Sequence, residues 1–157
     1  MSKKDKKIKQ KLKVGSSNTP SHIEKPESFY EKTPIWSFRY IDCEHEKWGT
    51  QSNSDVLPGI LYSMKSFEQM KWSNILTSTS GRSGNTRNHP IPIFKLIPEA
   101  QKRFNELNLD EIFNEEIYSL ALTNKLRLFG FIDENGIFFL IWIDREHDIY
   151  KVYKKHT

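Results

Sequence analysis

The sequence predicts an α+β domain, an antiparallel sheet of about four to five strands with helices on one face. Residues 125–152 read as a strand hairpin, the most strongly patterned part of the chain. Earlier, from residue 55, the apolar residues change from a two-residue to a three-and-four-residue spacing, the signature of an amphipathic helix. Strand, helices and then a closing run of strands is the order that lays helices over an antiparallel sheet.

The hairpin opens with Leu126, Leu128 and Gly130 on one face and Arg127, Phe129 and Phe131 on the other. Asp133, Glu134, Asn135 and Gly136 supply turn chemistry, because Asn and Gly tolerate the positive φ that tight turns need. The run from 137 to 143 is apolar throughout and rich in β-branched and aromatic residues, which predicts a strand buried on both faces. It stops at Asp144, Arg145, Glu146, His147 and Asp148, a charged rim. Residues 149–153 read as one more short extended segment.

Taken in order, residues 1–13 hold seven Lys against one Asp, and residues 14–34 hold two Lys against three Glu with three Pro. This composition predicts a flexible N-terminal tail, since so little apolar surface does not offset the entropy of ordering. Residues 35–157 then form a single domain with 15 basic and 16 acidic side chains. The overall charge of +4 therefore belongs to the tail, and the near-neutral domain weakens the case for an electrostatic nucleic-acid binder. No apolar run approaches the roughly 18–20 residues of a membrane span, and no apolar segment follows the N-terminal lysines as in a secretory signal. The lone Cys43 excludes an internal disulfide and fits a reducing cytoplasm, the expected location.

Residues 35–41 alternate, with Trp36, Phe38 and Tyr40 on one side, and predict a first strand. Cys43 and His45 place two metal-ligand types close together, but no second pair completes a zinc site, so neither a metal nor a cofactor is expected. Leu57, Ile60, Leu61, Met64 and Phe67 predict a helix with Pro58 in its first turn. Ser66 and Gln69 have capping-box spacing and suggest a second helix starting there. Residues 77–89 read as a loop that carries Arg82 and Arg87, either a plain surface loop or a basic loop near a nucleic-acid phosphate. Residues 93–96 suggest an edge strand, and Pro98 and Glu99 open a helix ending near Asn108. Residues 110–115 read as a last helical turn or a loop, and residues 116–123 as a strand joined to the hairpin.

A basic strand, a turn, a buried apolar strand, and His147 followed by Tyr150 and Lys151 resemble the C-terminal half of the RelE/ParE-like toxin family. The resemblance implies a RelE-like fold, with a longer middle, and a metal-independent endoribonuclease that cleaves RNA, on the ribosome or free, and is neutralised by an antitoxin protein. It assigns His147 as acid or base, Arg127 to the charge of the transition state, and Tyr150 to positioning phosphate or stacking a base. Arg145 and Lys151 would add phosphate contacts, as would Arg82 and Arg87. Asp148 stands where the family often has a second basic residue. The alternative is a non-catalytic interaction module, or a phage or mobile-element accessory protein of similar fold. In that case His147 pairs with Glu146 or Asp148, and Arg127 pairs with Glu116 or Asp144.

Overall fold

The computed structural model describes residues 28–79, 86–113 and 115–151. The hairpin forms where the turn chemistry places it, between β4 (Arg127–Ile132) and β5 (Ile137–Asp144). Asp133 shapes the turn: its carbonyl accepts the Gly136 N–H at 3.0 Å, and its Oδ1 accepts the N–H groups of Asn135 at 3.0 Å and Ile137 at 2.9 Å. Gly136 sits at φ +78, a conformation that glycine adopts without strain.

Three further strands, β1 (Ile35–Ser37), β2 (His89–Pro92) and β3 (Glu116–Ala121), complete a sheet of order β1-β5-β4-β3-β2. All neighbours are antiparallel except β1 and β5, which run parallel. The α+β class and the five-stranded, mainly antiparallel sheet follow the expectation. Pro90 and Pro92 are accommodated because β2 lies at the sheet edge, where a missing N–H need not break a ladder.

Within the hairpin, Phe129 pairs with Trp142 but Gly130 pairs with Leu140, so Ile141 is an extra residue, a β-bulge. The bulge inverts the phase of β5. Phe138, Leu140 and Ile143 pack on one face with Leu120 and Leu128, whereas Ile141 and Trp142 pack on the other with Phe129 and Phe131. Six hairpin residues, Leu128, Phe129, Phe138, Leu140, Ile141 and Ile143, are at most 2% exposed. Their burial contributes on the order of 10 kcal/mol before chain entropy is set against it.

Helices α1 (Leu57–Phe67) and α2 (Trp72–Thr77) form the helical layer on the Phe138 face, through Ile60, Met64, Trp72 and Ile75. Trp72 donates from Nε1 to the Gly136 carbonyl at 2.9 Å, so the hairpin turn is fastened to the start of α2. The opposite face has its own smaller cover, built from α3 (Pro98–Glu106) through Ala100 and Phe104 and from Trp48. Asn108, at φ 54, ends α3 in the left-handed conformation common just past a helix, and residues 109–111 make one 3₁₀ turn. No described helix is long and apolar enough to cross a membrane.

Several expected boundaries move, each for a local reason. β1 stops at Ser37 because the chain turns, with the Ile41 N–H bonded to the Phe38 carbonyl at 3.2 Å. Ser66 caps no helix; it lies inside α1 and its hydroxyl donates to the Tyr62 carbonyl at 3.2 Å, so α2 begins only at Trp72. The edge strand is residues 89–92, and the expected strand at 93–96 is a single 3₁₀ turn at Ile93–Lys95. β3 ends at Ala121, and Ile149 and Tyr150 form a bend instead of a strand, with Ile149 fully buried. Residues 28–34 join the folded unit, because Phe29 packs edge-on against Trp72 and Tyr118. The remainder of the expected tail, residues 1–27, lies outside the described residues.

Candidate functional site

Two of the expected site residues, Arg87 and Arg127, lie toward the end of the sheet where β3 ends and β4 begins, and a buried amide organises that end. Asn88, 3% exposed, accepts the Ala121 N–H at 2.7 Å and donates to the Ile75 carbonyl at 2.8 Å and the Ser78 hydroxyl at 3.2 Å. One side chain thus fastens the start of β2 to the end of β3 and to α2. Its neighbours Arg87 and His89 are held in place by it, and the Arg87 N–H adds a bond to the Ser78 carbonyl at 3.0 Å.

Arg127 pairs in register with Ala121 on one side and Asp144 on the other. The bulge at Ile141 puts Asp144 on the same face as Arg127 and Phe129. Neither Asp144 nor Glu116 forms an ion pair with Arg127. Its guanidinium donates instead to the turn carbonyls of Thr123 at 2.7 Å and Asn124 at 3.2 Å. Burial, and next the nearby charge of Arg87, lower its pKa below the ordinary arginine value, against the pull of Asp144. Two guanidiniums therefore share this end of the sheet, and among the described residues neither forms a salt bridge.

Asp144, 1% exposed, builds the rim. Its carboxylate accepts the N–H groups of Asp148 at 3.0 Å and Ile149 at 2.9 Å, which curls residues 144–149 into a tight turn. Burial pushes its carboxyl up, and these two hydrogen bonds oppose that rise. His147 stands in this turn at φ 57, a conformation uncommon outside glycine. Among the described residues His147 makes no hydrogen bond or ion pair, with Glu146 and Asp148 or any other group.

Beyond the turn, Tyr150 packs against the α3-side core and meets His89 edge to face, with ring centroids 6.1 Å apart. His89 lies opposite Ser119 on β3, and Ser119 lies opposite Phe129, so the row crosses to the strand that carries Arg127. The sequence reading does not single out His89, which stands in a Pro-rich stretch without a motif. Its signal is tertiary: the Asn88 anchor and the ring of Tyr150.

The structure therefore sets Tyr150 against His89 on the edge strand β2, and puts the Arg87 charge near Arg127 on β4, with β3 between the two strands. Lys151 is exposed at the end of the described chain. Arg145 is directed elsewhere, donating to Asp55 Oδ1 at 2.8 Å. Its cleft, about 280 Å³, is lined also by Trp48, Asn53, Glu146 and Asp148. Arg82 lies outside the described residues.

Cys43 and His45 make separate contacts. The Cys43 thiol is exposed, and His45 Nδ1 accepts the N–H groups of Lys47 at 3.2 Å and Trp48 at 3.1 Å. No group of three or more metal-ligating side chains occurs among the described residues.

No curated protein and no solved structure matches this chain. A family model does match, over residues 50–157, a span that contains α1 through the rim, with Arg87, His89, Arg127, His147 and Tyr150. With more than half of its length matched, the chain belongs to the family described as Uncharacterised protein UU032.

Proposed function

We propose that the protein is a RelE-like, toxin-type endoribonuclease that takes RNA on the face formed by Arg87, Arg127, His147 and Tyr150. The observation that carries this reading is Arg127 at the sheet end, in register with Ala121, without a carboxylate salt bridge and within reach of the Arg87 charge. Like charges held together without a carboxylate salt bridge repel each other, and a phosphate between them relieves that repulsion. Arginine forks match the equatorial oxygens of the transition state, and Tyr150 offers an aromatic edge and a hydroxyl to the neighbouring nucleotide. The ribosome as platform and an antitoxin as inhibitor belong to the same proposal.

The test is induced expression with growth curves and primer extension on total RNA. Growth arrest with discrete cleavages, lost in Arg87→Ala and reduced in Arg127→Lys and His147→Ala, is the expected result. Arrest that survives all three substitutions would overturn the site, and normal growth with intact RNA would overturn the activity.

A non-catalytic interaction module is the second reading, and a different face favours it. Ile35, Phe38 and Leu61 are exposed around one shallow cleft between the β1 end and α1, with Leu61 58% exposed. In that case Arg127 serves the β3–β4 turn alone, and expression is tolerated.

A further inference from the structure

We infer that His89 is the general base of this site, taking the proton from the attacking 2′-hydroxyl of RNA; the inference rests on the ribonuclease reading above. Three features of the structure converge on it. His89 Nδ1 lies 3.2 Å from the Pro90 carbonyl oxygen. A carbonyl only accepts, so this contact favours the tautomer with the ring proton on Nδ1 and the lone pair on Nε2. That is the tautomer a base needs with Nε2 turned toward its substrate, and a contact with the residue's own strand favours it.

Position is the second feature. His89 belongs to β2 and is fastened one residue away by the buried Asn88, which ties the strand to β3 and to α2. A base gains from such a rigid support, because proton transfer requires a maintained approach. His147 has no comparable hold, in a left-handed turn without a hydrogen bond among the described residues. The third feature is company. Tyr150 packs edge-on against the His89 ring at 6.1 Å, Arg87 stands two residues earlier, and Ile91 on the same strand shows that His89 faces the side that bears Arg127.

In the reaction, the 2′-O–H bond breaks and its proton passes to Nε2 of His89. The 2′-oxygen bonds to the adjacent phosphorus as the bond from phosphorus to the 5′-oxygen breaks. Water protonates the leaving oxygen, and the imidazolium returns its proton to solvent. The products are a 2′,3′-cyclic phosphate and a 5′-hydroxyl. Of the charged and titratable groups around it, Tyr150 from the C-terminal segment meets the His89 ring, Arg87 stands two residues earlier in the chain, and Arg127, paired with Asp144, lies on the same sheet face two strands away.

The experiment uses the purified full chain and a short RNA oligonucleotide, with single-turnover cleavage followed from pH 5 to 9. His89→Gln should lower the rate by about 10²–10⁴-fold and abolish the acidic limb of the pH profile, while oligonucleotide affinity stays within about two-fold. A 2′-deoxy substitution at the cleaved position should block cleavage of that oligonucleotide without loss of binding. Long-range ¹H–¹⁵N spectra of the wild type should show the His89 proton on Nδ1. Cleavage by His89→Gln at the wild-type rate, or slowed equally at every pH, would overturn the role of His89 and leave the ribonuclease reading standing. A wild type that cleaves no RNA would overturn both.

Discussion

Asp42 and Arg103 form a bidentate ion pair, Nε to Oδ2 and Nη2 to Oδ1, each at 2.8 Å. Trp142 adds a third bond to the same carboxylate, from Nε1 to Oδ2 at 3.1 Å. The segment after β1, helix α3 and the bulged part of β5 therefore meet at one buried acid. Burial by itself would raise the Asp42 carboxyl. Arg103, the Glu44 N–H, Trp142 and the His45 N–H together outweigh that effect and hold it at about 2.

This carboxylate should give the fold an acid-sensitive element. A folded pKa of about 2 against an ordinary 3.8 is worth about 2 kcal/mol. That stability is present above about pH 4 and is lost as pH falls through 2. Urea midpoints measured between pH 5 and pH 2 should decline accordingly, and Asp42→Asn should flatten the decline. Arg103→Ala at pH 7 should cost about 3–5 kcal/mol, because it strands a buried charge.

Asn88→Ala should destabilise the protein by about 2–4 kcal/mol, since the Ala121 N–H and the Ile75 carbonyl both lose a buried partner. Asn88→Asp keeps an acceptor for Ala121 and loses the donor to Ile75, so its deficit should be smaller if its carboxyl is protonated. Thermal unfolding with amide hydrogen exchange at Ala121 separates the two outcomes.

Gly130 has no room for a side chain. A Cβ there would lie 2.2 Å from the Phe139 carbonyl oxygen and 2.7 Å from the Phe138 ring. Gly130→Ala should therefore cost about 3 kcal/mol or more, or leave too little folded protein for a melt. Gly59, by contrast, has open space around its position. Gly59→Ala in α1 should stabilise by about 0.5–1 kcal/mol, measured by the same denaturant titration.

Arg87 and Arg127 should separate binding from folding. Arg87→Ala removes a charge without a structural bond from its guanidinium among the described residues, so stability should move by no more than about 0.5 kcal/mol. If Arg87 meets a phosphate, the slope of log affinity for single-stranded RNA against log salt should fall by about 0.7. Arg127→Ala should lose stability as well, by about 1–2 kcal/mol, because Thr123 and Asn124 each lose a hydrogen bond. Fluorescence-anisotropy titrations at several salt concentrations, with melts of each variant, make the comparison.

The hairpin was legible because its information is local. Asp133 and Gly136 announce the turn, and Leu128 and Phe129 alternate in a strand that has one polar end. The bulge was hidden by the strand that contains it: from 137 to 143 every side chain is apolar, so no polar residue marks the change of phase at Ile141. The length of β1 was illegible for a different reason, since the chain leaves the sheet to deliver Asp42 to Arg103, a partner 61 residues away. The candidate site divides along the same line. Arg127 could be read from its strand and His147 and Tyr150 from their rim, whereas His89 depends on Asn88 meeting Ala121, 33 residues along the chain.

The parallel pairing of Ile35 with Ile137 has a consequence for how the molecule is made. β1 leaves the ribosome first among the strands, but its neighbour β5 is the last to be synthesised. At about 5–20 residues per second, the emerging chain waits on the order of five to twenty seconds for the strand that completes its first one. Asp42 faces the same delay, with Trp142 one hundred residues downstream. Throughout that interval Ile35, Trp36 and Ser37 have no sheet to join, and loop closure over such a span is slow. Nascent chains stalled before residue 137 should therefore be the ones that engage chaperones, and release of β5 should end that engagement in a single late step.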